Sequence, residues 1–250
     1  MRTHLAVSII ALLAGVALWS CAGGSIPAKA DVPGTEKKLS TRTLEAGAAM
    51  VQDKPPLDAL NMYLDGFHFY ADDMGHQVGA RHYCAQLNEE FIQCVIYDGN
   101  TEDSKLVGVE YIVSERTFKS LPKDEKRLWH SHHYEVKSGQ LVAPGVPDVA
   151  EHALMEKLVT TYGKTWHMWD TARHALPLGI PALMMGFTQD GQIRPELLQQ
   201  RNQQIGISPQ EKRQNRQDIP MPVVDPDASS WQSGTTHQLR LEDMPMRGAR

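Results

Sequence analysis

The chain has 250 residues, 41% of them hydrophobic and 22% charged, an ordinary globular composition that allows one sizeable core or two small ones. Its 25 basic residues against 30 acidic ones give a formal net charge of −5 at pH 7. That balance argues against nucleic acid as a partner, because phosphate binding calls for a basic patch.

Residues 1–20 read as a secretory signal, with a weakly basic start at Arg2 and His4 and an uncharged apolar run over residues 5–18 that is too short to span a bilayer. Leu18-Trp19-Ser20-Cys21 follows and resembles the lipobox of bacterial lipoproteins, which makes Cys21 the expected lipid-attachment site, although Trp19 is bulkier than that motif usually holds. An acylated Cys21 would hold the protein on a membrane. Ala22 replaces the aspartate that signals inner-membrane retention, so the cell envelope, at the outer membrane facing the periplasm, is the expected location. The competing reading is an ordinary signal cleaved among the small residues that follow, which leaves a secreted or soluble periplasmic protein. Residues 21–54 then form the anchor and a flexible tether, rich in glycine, proline and polar side chains, with a short helix near Thr43.

The folded domain is expected over residues 55–219. Leu57, Leu60, Tyr63 and Leu64 stand at helical spacing after Pro55-Pro56 and before Gly66. His82-Tyr83-Cys84 would put an imidazole and a thiol on one strand face, a pair of the type that ligates zinc. Phe91–Tyr97 and Leu106–Val113 are β-branched and aromatic runs separated by the turn-forming DGNTEDS, and read as antiparallel strands. In an oxidising compartment Cys84 and Cys94 could form a disulfide, and two buried thiols are the alternative. Ser114 opens a short helical turn that ends before Leu121-Pro122.

Residues 128–141, LWHSHHYEVKSGQL, carry the densest chemistry. They read as a strand turning at Gly139, with residues 141–143 running back beside it. On that strand His130, His132 and Tyr134 share one face, while Ser131, His133 and Glu135 share the other. Asp148 starts a helix with Ala150, Leu154 and Leu158 at every fourth position, ended by Gly163. Residues 164–170 form a strand that carries His167 between tryptophans, and residues 182–187 are a further apolar segment. Helices follow over residues 196–204 and from Ser208-Pro209-Gln210-Glu211, a capping box. Residues 220–250 form an irregular tail.

Seven stretches together resemble the oil body-associated protein family, whose domain is of unknown function. They are PPLDALNMYLDGFHFYADD, ARHYCAQLNEEFIQCVIYD, LVGVEYIVS, LPKDEKRLWHSHHYEVKSGQL, YGKTWHMWD, LPLGIPALMMGFTQDGQIRPELL and SPQEKR. The resemblance spans residues 55–219 and departs at His133, where plant members carry an acidic residue. It implies association with lipid surfaces and brings no established reaction.

Two readings of function stand. In the first, a membrane-tethered lipoprotein binds lipid, with Trp166, Met168, Trp169, Met184, Met185 and Phe187 lining an apolar pocket. In the second, His130, His132 and His167 bind a divalent transition metal and leave a position open, as in a metalloenzyme. The His-x-His is similar to the first cupin motif, but its spacing to the following Glu is too short. Ser131 is a poor nucleophile, since its histidine neighbours on a strand point away from it. The expected fold is a single α+β domain built on an antiparallel sheet with peripheral helices.

Overall fold

The computed structural model describes residues 24–248, so the expected signal sequence and the expected lipid-attachment site at Cys21 lie outside the described residues. Strands β1 (Met62–Tyr70), β2 (Asp73–Asn88), β3 (Phe91–Tyr97) and β4 (Leu106–Val113) form an antiparallel meander. β4 pairs with β6 (Tyr162–His167), β6 with β7 (Ala182–Met185), and β7 returns to β1 through Phe69↔Met185 and Tyr70↔Met184. The six strands therefore close into a barrel, with the two-residue β5 (His130–Ser131) added beside β6 at Gly163 and Tyr162. The α+β content agrees with the sequence, but the sheet is not an open one flanked by helices. Register shifts at Phe69/Tyr70, Gln86/Asn88 and Ile96/Tyr97 supply the bends that closure needs.

Four local expectations are corrected. The helix expected from Leu57 is a single turn, α2 (Pro55–Asp58), after which the chain extends into β1. β1 is buried on both faces, with Leu64 and His68 toward the barrel interior and Asp65, Phe67 and Phe69 beneath an outer layer, so its apolar run mimics a helical stripe. The strand expected over residues 128–141 ends after Ser131. Ser131 Oγ accepts the His133 N–H at 3.2 Å, and α5 (His133–Ser138) runs to Gly139, whose φ of 74° stops it. Residues 141–143 do not run back along it, since Val142 bridges Asp65 on β1. Helix α6 (Asp148–Leu158) stops before Gly163, which belongs to β6.

Leu64, Ile92 and Ile112 fill one end of the barrel and pack on Val136 of α5 and on Met155 and Leu158 of α6. Cys84 and Cys94, opposite one another on β2 and β3, are joined by a disulfide with Cα atoms 4.1 Å apart in this layer. On the outer face Phe67, Phe69, Leu183, Met185 and Phe187 lie under Leu197 and Leu198 of α7 (Pro195–Ile205) and under Trp231. Met184, Met185 and Phe187 are thus core rather than the wall of an open pocket. Among the described residues no helix is long and apolar enough to cross a membrane.

The flanks are partly docked. Ile26 is buried and donates its N–H to Asn100 Oδ1 at 2.6 Å, and Lys29 and Ala30 donate theirs to Asp98 Oδ2. Between this segment and the barrel, α1 (Leu39–Val51) buries none of its residues. In the carboxy-terminal stretch Ser229 donates its N–H to Trp129 O, and Gln238 Oε1 accepts the Leu183 N–H at 2.7 Å.

Candidate metal centre

The middle of the barrel interior is polar. Glu110 on β4, 3% exposed, sits among imidazoles from four different segments. Its Oε2 is 2.8 Å from His82 Nε2 of β2, and its Oε1 is 3.4 Å from His132 Nε2 and 3.7 Å from His130 Nε2. His68 of β1 stands beside His82 with ring centres 5.1 Å apart, and its Nδ1 is 3.4 Å from His167 Nε2 of β6. Glu135, carried by α5, points its Oε2 to within 3.9 Å of His130 Nε2. Two groups of three, His68/His82/Glu110 and Glu110/His130/His132, each have ligand-type atoms within 4.8 Å of one another.

These groups are close but poorly hydrogen-bonded. Both ring nitrogens of His82, both of His130, Glu110 Oε1 and Glu135 Oε2 are buried without a hydrogen-bond partner among the described residues. So many unpaired buried acceptors and donors in one place would be strongly destabilising unless something binds them. His132 shows what kind of partner is missing. Its Nδ1 is 2.8 Å from Thr161 Oγ1, whose own proton goes to Leu158 O at 2.7 Å, so the hydroxyl must accept from the ring. In the neutral imidazole the proton is therefore on Nδ1, and the Nε2 lone pair faces the Glu110 oxygen, acceptor against acceptor. A cation between them would resolve the repulsion, and the Thr161 contact is of the kind that orients a ligating histidine.

The electrostatics agree. Burial lowers the His130 and His167 pKa values to about 3, and burial with the neighbouring rings takes His68 well below the ordinary range. These rings are neutral lone-pair donors near pH 7, the form a metal requires. Burial pushes the Glu110 carboxyl up, and it is held well below its usual value only by positive charge and donated protons facing it from His82 and His132, the role a bound cation would take over. Burial and then the Glu110 charge drive Glu135 well above the carboxylate range.

The backbone leaves room here. A Cβ on Gly163 would collide with Glu110 Oε1 and lie 2.8 Å from His132 Nε2, and one on Gly186 would lie 2.8 Å from Glu135 Oε2. A Cβ on Gly108 would meet the His167 ring at 2.9 Å. The donor set is imidazole and carboxylate with no thiolate, since Cys84 is held in its disulfide, and it suits zinc, iron, manganese or cobalt. A cleft between Tyr70, Val107, Trp169 and Asp170 reaches His167 from the surface.

Comparison with known proteins places the chain. The family profile described as "Protein of unknown function (DUF1264)" matches residues 54–220. Oil body-associated protein 1A of Zea mays is 44% identical over 218 residues, which cover 86% of this chain and 92% of that protein. Oil body-associated protein 1B of Arabidopsis thaliana is 42% identical, over 85% of this chain and 90% of the relative. The chain belongs to the oil body-associated protein family. A further member, oil body-associated protein 2C of Arabidopsis thaliana, is 37% identical over 86% of this chain. No solved structure matches the chain.

For this member of the family, the structure regroups the residues singled out in the sequence. His130 and His132 do come together, but at Glu110, while His167 meets His68. His82 joins the cluster without Cys84. Glu135, expected on the far face of a strand, turns back to His130 because α5 replaces that strand. His133 is only half buried and stands 3.2 Å from Met221 Sδ, outside the cluster. His68 opens the polar stretch over residues 68–94 whose density of histidine, cysteine and glutamate invites a metal reading, but nothing local pairs it with His167 or Glu110. Glu110 alternates with Val109 and Tyr111 and reads as an ordinary strand residue; its only local signal is a charge on the face shared with Gly108 and Ile112.

Proposed function

We propose that this protein is a metal-binding β-barrel that holds a divalent transition metal at Glu110. The observation that carries this reading is the Glu110 carboxylate, buried with its two oxygens facing imidazoles on opposite sides and no lysine or arginine beside it among the described residues. His82, His130 and His132 would hold the ion, with His68, His167 and Glu135 completing its surroundings. When bound, such a metal supplies Lewis acidity at a dry site. The residues themselves keep lone pairs free, exclude bulk water and, through Thr161, fix the ring orientation of His132. Elemental analysis of the purified protein, beside a folded His130→Ala/His132→Ala variant, tests this. Near-stoichiometric metal that falls in the variant is expected. No metal in the wild type after incubation with zinc, iron and manganese would reduce the cluster to a structural network.

A second reading concerns location. The names of the relatives associate them with oil bodies, and Cys21, if acylated, would tether this chain to a membrane. Because the barrel interior is filled by side chains, lipid association on this reading is a surface property. Flotation of the protein with vesicles, with and without Cys21→Ala, separates the contributions. Equal flotation of both would remove the anchor, and no flotation of either would remove the reading.

A further inference from the structure

The number of buried ligand-type groups exceeds what one ion can use. His68, His82, His167 and Glu110 meet on one side; His130, His132 and Glu135 meet on the other, reached through the same Glu110. A divalent transition metal takes about four to six ligands in protein sites, and a site that keeps an exchangeable position uses fewer. One ion would leave several buried nitrogens and a carboxylate oxygen unpaired.

We propose that the barrel holds two divalent transition metals bridged by Glu110, one ligated by His68 and His82 through Oε2, the other by His130 and His132 through Oε1. The inference rests on the metal-binding reading above and adds its stoichiometry and bridge. The geometry supports it in three ways. First, the two trios with mutually close donor atoms share only Glu110, and each uses a different oxygen of it. Second, metal–ligand bonds of about 2.1 Å in a tetrahedral site place neighbouring ligand atoms about 3.4 Å apart. Glu110 Oε1 to His132 Nε2 is 3.4 Å, Glu110 Oε1 to His130 Nε2 is 3.7 Å, and His68 Nδ1 to His167 Nε2 is 3.4 Å, whereas Glu110 Oε2 to His82 Nε2, at 2.8 Å, would have to open to admit an ion. Third, one further donor remains for each side: His167 beside His68, and Glu135 Oε2 beside His130 at 3.9 Å.

The two positions would differ. The first has three imidazoles and one carboxylate oxygen, and the second has two imidazoles and two carboxylates, a harder set that favours manganese or iron over zinc relative to the first. Carboxylate-bridged ions stand about 3.5–4 Å apart in two-metal sites, close enough for their spins to couple.

Manganese(II) titrated into the chelator-stripped full chain, followed by elemental analysis and electron paramagnetic resonance, tests the proposal. Two equivalents per chain and an exchange-coupled spectrum are expected. His68→Ala/His82→Ala and His130→Ala/His132→Ala should each keep one equivalent with an uncoupled signal, and Glu110→Gln should lose the coupling. Saturation at one equivalent in the wild type, or two equivalents without coupling, overturns the bridge while leaving a metal protein. Absence of any bound metal instead overturns the parent reading. The wild-type measurement decides the matter even where a variant does not fold.

Discussion

Two kinds of buried carboxylate coexist in this barrel, and they are solvated in opposite ways. Asp65, on the outer face of β1, receives Arg81 Nε at 3.2 Å, Arg201 Nη1 at 3.1 Å and the Tyr63 hydroxyl at 3.1 Å. Glu151 of α6 receives Arg216 Nη2 at 2.9 Å, Lys212 Nζ at 2.6 Å and the Ala143 N–H at 3.2 Å. Fixed cations from the chain balance both. Glu110 and Glu135 both face His130, whose pKa burial lowers to about 3, and neither has a lysine or arginine beside it among the described residues. Where the protein needs only to hold itself together it brings its own positive charge; at the centre, on the metal-binding reading proposed above, a bound cation would supply it. That contrast separates a structural ion pair from a binding site more sharply than burial does, since all four carboxylates are buried alike.

The contrast breaks most visibly at the carboxylates themselves. Glu151→Ala should destabilise the fold by about 3–5 kcal/mol, because Arg216 is left buried without its partner. Glu110→Gln should change the stability of the metal-free protein by less than about 1 kcal/mol, yet remove the stabilisation that added metal gives, about 2.7 kcal/mol at a hundredfold excess over Kd. Chemical denaturation of both variants, with and without metal, reads the difference; similar losses in the metal-free state would erase it.

Acid should act on the centre next. His130, His167 and His68 have folded pKa values below the ordinary value near 6.5. As pH falls through 6.5 the unfolded chain takes up protons that the folded chain refuses, so stability is full above that pH and is lost on the way toward 3. Glu135 works the other way, since its raised pKa favours the fold at lower pH, but one carboxyl opposes three rings. Metal-free protein should therefore lose about 1 kcal/mol or more per pH unit between pH 6.5 and 4.5. A flat profile of denaturation midpoints across that interval would mean that the rings are not held neutral.

Smaller changes sharpen the comparison. Gly163→Ala places a methyl group against Glu110 and His132 and should lower stability by about 1–3 kcal/mol while impairing metal uptake. Thr161→Val removes the acceptor at His132 Nδ1 and should weaken metal binding by about 10–100-fold with the fold intact. Unchanged affinity in calorimetric titration would free His132 from the role of ligand.

Much of this was legible in the residues, and the misses have two causes. β3 and β4 lie where their alternation puts them, and the family was readable from seven short stretches. His130-x-His132 was identifiable because two imidazoles at alternate positions are uncommon. Glu135 was not, because a two-residue strand gives no periodicity. The available signal was local: Ser131 three residues before Tyr134, Gly139 as a stop, and a three-residue spacing that puts His132 and Glu135 on one side of a helical turn. His68 and Glu110 were hidden for a different reason. His82 is within reach of His68 across the first hairpin, but His167 and Glu110 meet these rings only through closure of the sheet, and no window of sequence contains that closure.

Closure has a kinetic consequence. The β1–β7 seam joins Phe69 to Met185, and the β4–β6 seam joins Gly108 to His167, so both depend on contacts between distant parts of the chain. Such contacts form slowly, after the local hairpins. His68 and His82 belong to the first hairpin, whereas His130, His132 and His167 arrive with later segments. The half of the centre built on β1 and β2 is thus assembled early, and the other half matures only when the barrel shuts, which makes the second half a chemical reporter of the final folding step.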